Sequence, residues 1–168
     1  MDVFDAVRTV LAVRQYRDDP VPDEVVDRIL EAGRLTGSAS NRQPWHFIVV
    51  RDGDTIRELG RLVTTGPYIA GAPLAIVVAA EKGSWGLSDA SRAIQSMMLA
   101  AWGDGVGSNW TGFAGRLENV RVEFGLPDVY DVLAVVPLGY PKQKVIGKKK
   151  RKPLGQVVSA ERFGTPLS

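Results

Sequence analysis

Ser38-Ala39-Ser40-Asn41-Arg42-Gln43-Pro44-Trp45 ends a helix-like pattern and runs directly into His46-Phe47-Ile48-Val49-Val50, a short apolar segment of strand character. Short polar side chains crowd that helix-to-strand junction. Asn41 and Gln43 bring amide donors and acceptors, Ser38 and Ser40 bring hydroxyls, and Pro44 fixes the backbone ahead of Trp45. Such a set suits gripping a planar polar ligand better than nucleophilic attack.

On the N-terminal side, Phe4, Val7, Val10 and Leu11 have helical spacing. Pro22-Asp23-Glu24 followed by Val25, Val26, Ile29 and Leu30 reads as a second helix with acids in its first turn. Between them lie Val13-Arg14-Gln15-Tyr16 and the turn formers Asp18-Asp19-Pro20. On the C-terminal side, the apolar runs 47–50, 74–80 and 132–136 are short and rich in β-branched residues, so they read as buried strands. Residues 55–63 read as a helix joining the first two.

Residues 88–102 form the longest helical pattern, apolar on nearly every side, which fits a domain core or a contact between subunits. Residues 108–111 read as a further strand and 117–124 as a short helix stopped at Gly125-Leu126-Pro127. Strands mixed with helices, without regular β-α-β alternation, argue for an α+β fold: a central, mostly antiparallel sheet sandwiched by helices. Neither G-x-G-x-x-G after a strand nor G-x-x-x-x-G-K-[ST] occurs, which disfavours a dinucleotide fold and a P-loop.

A chain of 168 residues with an ordinary apolar share fits one domain, spanning 1–168. The lack of cysteine excludes disulfides, thiolate metal sites and thiol catalysis. His46 is the only histidine and reads as a half-buried strand residue, so an imidazole metal site and a serine-hydrolase triad both fail for want of partners. Asp18-Asp19 and the pair Asp128 and Asp131 sit beside prolines in turns, where aspartate is a common turn former. No apolar run approaches the roughly 18 residues of a membrane span, and the acidic N-terminus reads as unexported, hence a cytoplasmic expectation.

Lys142, Lys144, Lys148, Lys149, Lys150, Arg151 and Lys152 place seven cations in a segment without acids, while the net charge is only +2. The rest of the chain is therefore net acidic. Charge confined to one late segment, without interleaved aromatics, fits a solvated loop or anion capture and disfavours a nucleic-acid surface. A chain with recognition groups, a cation cluster and no reactive side chain points to chemistry carried by a cofactor.

These features together resemble the nitroreductase-like flavoproteins. The run S-A-S-N-R-Q-P-W looks like that family's motif, and Val13-Arg14-Gln15-Tyr16 with Pro20-Val21-Pro22 is similar to its N-terminal signature. In order, A-G-A-P-L-A-I-V-V resembles its second strand, S-D-A-S-R-A-I-Q-S-M-M-L-A-A its central helix, and G-V-G-S-N-W-T-G-F its loop over the flavin ring. G-Y-P, then R-K-P-L and E-R-F-G, resembles its C-terminal end. The resemblance implies an α+β homodimer with two FMN sites built from both chains, reduced by NAD(P)H and passing electrons to a small planar acceptor. It places Arg14 at the ribityl or phosphate region, Ser38, Asn41 and Gln43 along the ring or chain, backbone N–H groups near Thr111 and Gly112 at the ring edge, and Lys150, Arg151 and Lys152 at the phosphate. For Arg14 a surface ion pair with Asp18 or Asp19 is the competing reading.

One departure stands out. Where the family usually has a basic residue and then a serine, this chain has Val10-Leu11-Ala12. That shifts phosphate binding onto Arg14 and the lysine-rich segment, or implies weaker retention, or implies a deazaflavin such as F420 held without general reductase turnover.

Overall fold

Seven consecutive residues, 74–80, are each at most 1% exposed, and this run is the centre of the sheet. The computed structural model describes residues 1–83, 85–112 and 117–167. Strands β1 (Trp45–Val50), β2 (Leu74–Glu81), β3 (Gly107–Ser108) and β4 (Tyr130–Gly139) pair antiparallel in the order β1-β2-β4-β3. A strand with neighbours on both sides and cover on both faces has no polar side to present, which explains its unbroken apolar run.

Alternation along β2 divides the core. Ile76, Val78 and Ala80 pack with Val26 and Ile29 of α2 (Asp23–Arg34) and Ile94 and Met97 of α4 (Gly86–Gly103). Ala75, Val77 and Ala79 pack with Ile56 and Leu59 of α3 (Gly53–Leu62) and Val120 of α5 (Glu118–Glu123). The sheet is thus sandwiched by helices, and burial of each Ile or Leu contributes about 1.5–3 kcal/mol. The two helices on the first face approach closely at Gly33, where an added Cβ would lie 2.9 Å from Met97 Cγ. Asp52 caps α3 by accepting the Thr55 N–H at 2.8 Å and its hydroxyl at 2.7 Å, which holds the Asp52 carboxyl below the usual carboxylate range.

Several boundaries differ from the sequence expectation. The first helix, α1 (Val3–Thr9), ends before Leu11, because Val10 turns to φ −53°, ψ 128°. The chain then runs extended, and Ala12 bridges to Ser108 in parallel. The expected strand 108–111 shrinks to β3, with only Thr111 rejoining the sheet through a bridge to Val135. β1 is an edge strand, so it is only partly buried. His46 is correspondingly exposed, with its ring centroid 6.0 Å from that of Tyr130. Helix α4 buries a stripe containing Asp89, Ala90, Ala93, Ile94, Met97 and Ala101, and turns Leu87 outward, so it is not apolar on every side. Among the described residues no helix is long and apolar enough to cross a membrane.

Candidate functional site

The expected ligand-gripping residues precede β1 in a strained loop. Ser40, Asn41 and Gln43 have φ of 51°, 54° and 50°, the left-handed region that non-glycine residues enter at a cost of roughly 1–3 kcal/mol each. Local hydrogen bonds offset that cost. Ser38 Oγ accepts the Gln43 N–H at 2.9 Å, and Gln43 Nε2 donates to Asn41 Oδ1 at 3.1 Å. The Ala39 N–H donates to the carboxylate of Asp89, which is 0% exposed in the first turn of α4 and also receives Arg92. Asn41 and Gln43 are exposed, and the Asn41 amide protons and Gln43 Oε1 have no partner among the described residues. The loop is held in a shape that leaves those groups exposed.

Thr111 and Gly112 line a separate pocket of about 350 Å³ with Tyr68, Trp110 and Leu117. The Thr111 N–H is taken by Val135 O at 3.0 Å, so of the two expected ring-edge donors only the Gly112 N–H is without a partner among the described residues. Thr111 instead offers its hydroxyl, 3.0 Å from Tyr68 Oη, and Asn109 Nδ2 donates to both oxygens. Asn109 and Thr111 are 5% and 2% exposed. An added Cβ on Gly66 would lie 1.9 Å from Thr111 Cγ2, so this loop packs directly on Thr111. Over the Tyr68 ring lies the Arg14 guanidinium, 5.5 Å from its centroid. Among the described residues Arg14 forms no ion pair with Asp18 or Asp19, and Asp19 pairs instead with Arg17 at 2.9 Å.

A third pocket, of about 730 Å³, joins Val10, Leu11 and Ala12 to Lys148, Lys149, Lys150 and Arg151, with Met98 and Gln95 of α4 beside them. The lysine-rich segment folds back because Lys149 Nζ donates to Val7 O at the end of α1, where helix carbonyls lack backbone partners. Partial burial and the neighbouring Arg151 charge push the Lys149 ammonium below its usual value. Lys150 and Arg151 therefore stand at the departure from the family pattern, whereas Lys152 is exposed and does not line this pocket. Ser108, the bridge partner of Ala12, is 1% exposed, and its Oγ has no partner among the described residues.

The candidate residues thus fall into three groups in one chain. Ser38, Asn41 and Gln43 lie at the β1 edge, whereas Thr111, Gly112 and Arg14 lie beyond β4 on the β3 side. At a strand spacing of about 4.8 Å, those edges are on the order of 14 Å apart. Phe113, at the end of the G-V-G-S-N-W-T-G-F stretch, lies outside the described residues. Asp89, Tyr68 and Asn109 join the candidate residues only through the fold. Asp89 had a signal, an acid three residues before Arg92 within an otherwise apolar helix, whereas the Tyr68–Asn109 bond spans 41 residues and has none.

The profile of the Nitroreductase family matches residues 8–67 and 64–140, and the chain belongs to that family, which makes it an oxidoreductase. A protein of Methanothermobacter thermautotrophicus, provisionally named NADH dehydrogenase/NAD(P)H nitroreductase, is 37% identical over 152 residues, 85% of this chain and 79% of its own. An NADH dehydrogenase of Thermus thermophilus is 30% identical over 204 residues, covering 94% and 97% of the two chains. The solved structure of an FMN-dependent nitroreductase from Clostridium difficile superposes with a TM-score of 0.89 at 28% identity, covering 96% of this chain and all of that one.

Proposed function

We propose that this protein is an FMN-dependent oxidoreductase that takes hydride from NAD(P)H and passes electrons to a small planar acceptor, of nitroaromatic or quinone type, in a ping-pong cycle. The observation that carries the reading is the folding of Lys148, Lys149, Lys150 and Arg151 over Val10, Leu11 and Ala12. It assembles a cationic pocket where the N-terminal segment lacks the usual basic residue and serine. A dianionic phosphate is held by charge-assisted donors, and guanidinium can bind two of its oxygens at once. These residues fit a flavin mononucleotide, with Lys150 and Arg151 at its phosphate, the Gly112 N–H at its ring edge, and Asn41 and Gln43 along its ring or chain. Lys152 adds long-range charge. A bound flavin supplies the hydride and electron chemistry; this chain binds it, orients it and excludes water from one face.

The same reading includes a homodimer with each site built from both chains. Its support is that one chain keeps Ser38, Asn41 and Gln43 apart from Thr111 and Gly112. A second support is the C-terminal segment, whose Leu154, Val157 and Phe163 are 69%, 61% and 105% exposed, surface that a partner would cover. The relative from Clostridium difficile carries FMN dependence in its name, and the one from Methanothermobacter carries NAD(P)H.

Anaerobic stopped-flow tests the cycle. NADH or NADPH is expected to bleach bound flavin without acceptor, and a quinone or nitroaromatic then to restore the colour in a separate step. Flavin that binds but is not bleached by either nucleotide would favour storage or delivery of a flavin or deazaflavin, a role suited to the apolar Val10-Leu11-Ala12 floor.

A further inference from the structure

The cations of the late basic segment divide between two places in the fold. Lys148, Lys149, Lys150 and Arg151 line the pocket over Val10-Leu11-Ala12, whereas Lys142 and Lys144 line another, of about 530 Å³, with Arg17, Trp102, Pro141 and Val145. This second cationic pocket shares no lining residue with the first or with the Thr111–Gly112 pocket. Paired backbone frames it. Tyr16 bridges to Pro141, the Arg17 N–H donates to Tyr140 O at 2.8 Å, and the Lys142 N–H donates to Gln15 O at 3.0 Å. Its wall is Trp102, near the end of α4. The indole N–H donates to Thr9 Oγ1 at 2.9 Å, and that hydroxyl donates to Asp5 O of α1 at 2.6 Å, so the one polar group of the indole is taken and its ring is fixed. Trp102 and Val145 both pack against the buried cluster of Val13, Tyr16 and Ala72.

We propose that this pocket is a second ligand site, separate from the flavin, that takes a small aromatic carboxylate with its ring against Trp102 and its charge between Lys142 and Lys144. No acid lines the pocket. Among the described residues the lysine ammonium groups that find a partner are those of Lys82 and Lys149, so Lys142 and Lys144 keep theirs for a ligand. Arg17 is already engaged, with its Nε donating to Asp19 at 2.9 Å and its guanidinium over the Tyr140 ring, 5.2 Å from the centroid. The Asp19 charge offsets that of Arg17, which leaves the two ammonium groups to set the sign of the site. They suit a single carboxylate, whereas a phosphate dianion is better matched by the four cations of the other pocket. The ring face of Trp102, with Pro141 and Val145, gives an apolar wall that a planar aromatic body would cover, in a volume ordinary for a small-molecule site.

The test titrates naphthoate, and its neutral counterpart naphthylmethanol, into the full chain and follows the indole N–H signals of the four tryptophans by heteronuclear NMR. Trp102→Phe and Trp110→Phe assign the two signals that matter, because Trp110 lines the Thr111–Gly112 pocket and reports binding there instead. Naphthoate is expected to shift the Trp102 signal saturably, and naphthylmethanol to bind more weakly. Lys142→Ala combined with Lys144→Ala is expected to weaken naphthoate about fivefold to tenfold and to leave naphthylmethanol unchanged. Both lysines are exposed, so the double variant tests charge without opening the core. No saturable shift at Trp102, a shift confined to Trp110, or equal affinity for the acid and the alcohol would each overturn the proposal. Full naphthoate affinity in the double variant would overturn it as well. None of these readouts needs bound flavin, so a failure here leaves the flavin reading standing, and a protein that binds no FMN leaves this site standing.

Discussion

The wholly buried carboxylate of Asp89 accepts the Ala39 N–H at 3.1 Å across 50 residues of sequence, tying the start of α4 to the strained loop before β1. Asp89→Ala would leave that N–H unmet and remove the partner of Arg92. The expected cost is about 1–3 kcal/mol of stability, with faster amide exchange in residues 38–43 than in β2. Unchanged exchange in the loop would mean that its shape does not depend on Asp89.

Gly66 and Thr111 form a second fixed contact, with room for no Cβ at Gly66. Gly66→Ala is expected to lower stability by about 1–3 kcal/mol through overpacking. Thr111→Ser removes the clashing Cγ2 while keeping the hydroxyl near Tyr68, so Gly66→Ala with Thr111→Ser should recover most of the loss in a denaturant melt. Additive losses in the double variant would contradict this packing account.

What the sequence reveals follows from how local each determinant is. β2 is legible because a central strand needs an unbroken apolar run, and α2 because Val25, Val26 and Ile29 mark one face. The pattern over-extends α1 because Val10 and Leu11 keep helical spacing while the chain has already turned so that Ala12 meets Ser108. The pattern over-extends β3 because the side chains of Asn109 and Thr111 serve a local cluster. The polar loop was recognisable from its residue types, yet its left-handed backbone and its tether to Asp89 depend on distant contacts. The lysine-rich segment could be seen as charge, but not as a fold back over Val10-Leu11-Ala12.

Asn41 presents free amide protons while its Oδ1 holds Gln43, whereas Ser40 makes no side-chain hydrogen bond among the described residues. Asn41→Ala is therefore expected to weaken cofactor retention more than Ser40→Ala, measured as flavin remaining after desalting. Equal retention would show that Asn41 does not face the ligand.

Lys150 and Arg151 line the cationic pocket, so Lys150→Ala and Arg151→Ala are each expected to weaken FMN on the order of tenfold while sparing riboflavin. Lys152→Ala should do less, because Lys152 lies outside that lining. Equal losses for both flavins, measured by titration, would place these cations away from the phosphate.

The Asp52 carboxyl is held below its usual value chiefly by the Thr55 N–H, so its contribution to stability is present above the unfolded pKa and lost as pH falls through the folded pKa. Melting temperatures of the unaltered protein and Asp52→Ala should differ near neutral pH and converge in acid. A constant gap across that range would mean that the cap acts without its charge.

Whether these three groups of residues hold FMN is read from the absorbance spectrum of the purified protein mixed with FMN, desalted, and then treated anaerobically with NADH or NADPH. Retained flavin bands at one per chain that bleach with a pyridine nucleotide are expected. A colourless protein after desalting would contradict FMN binding.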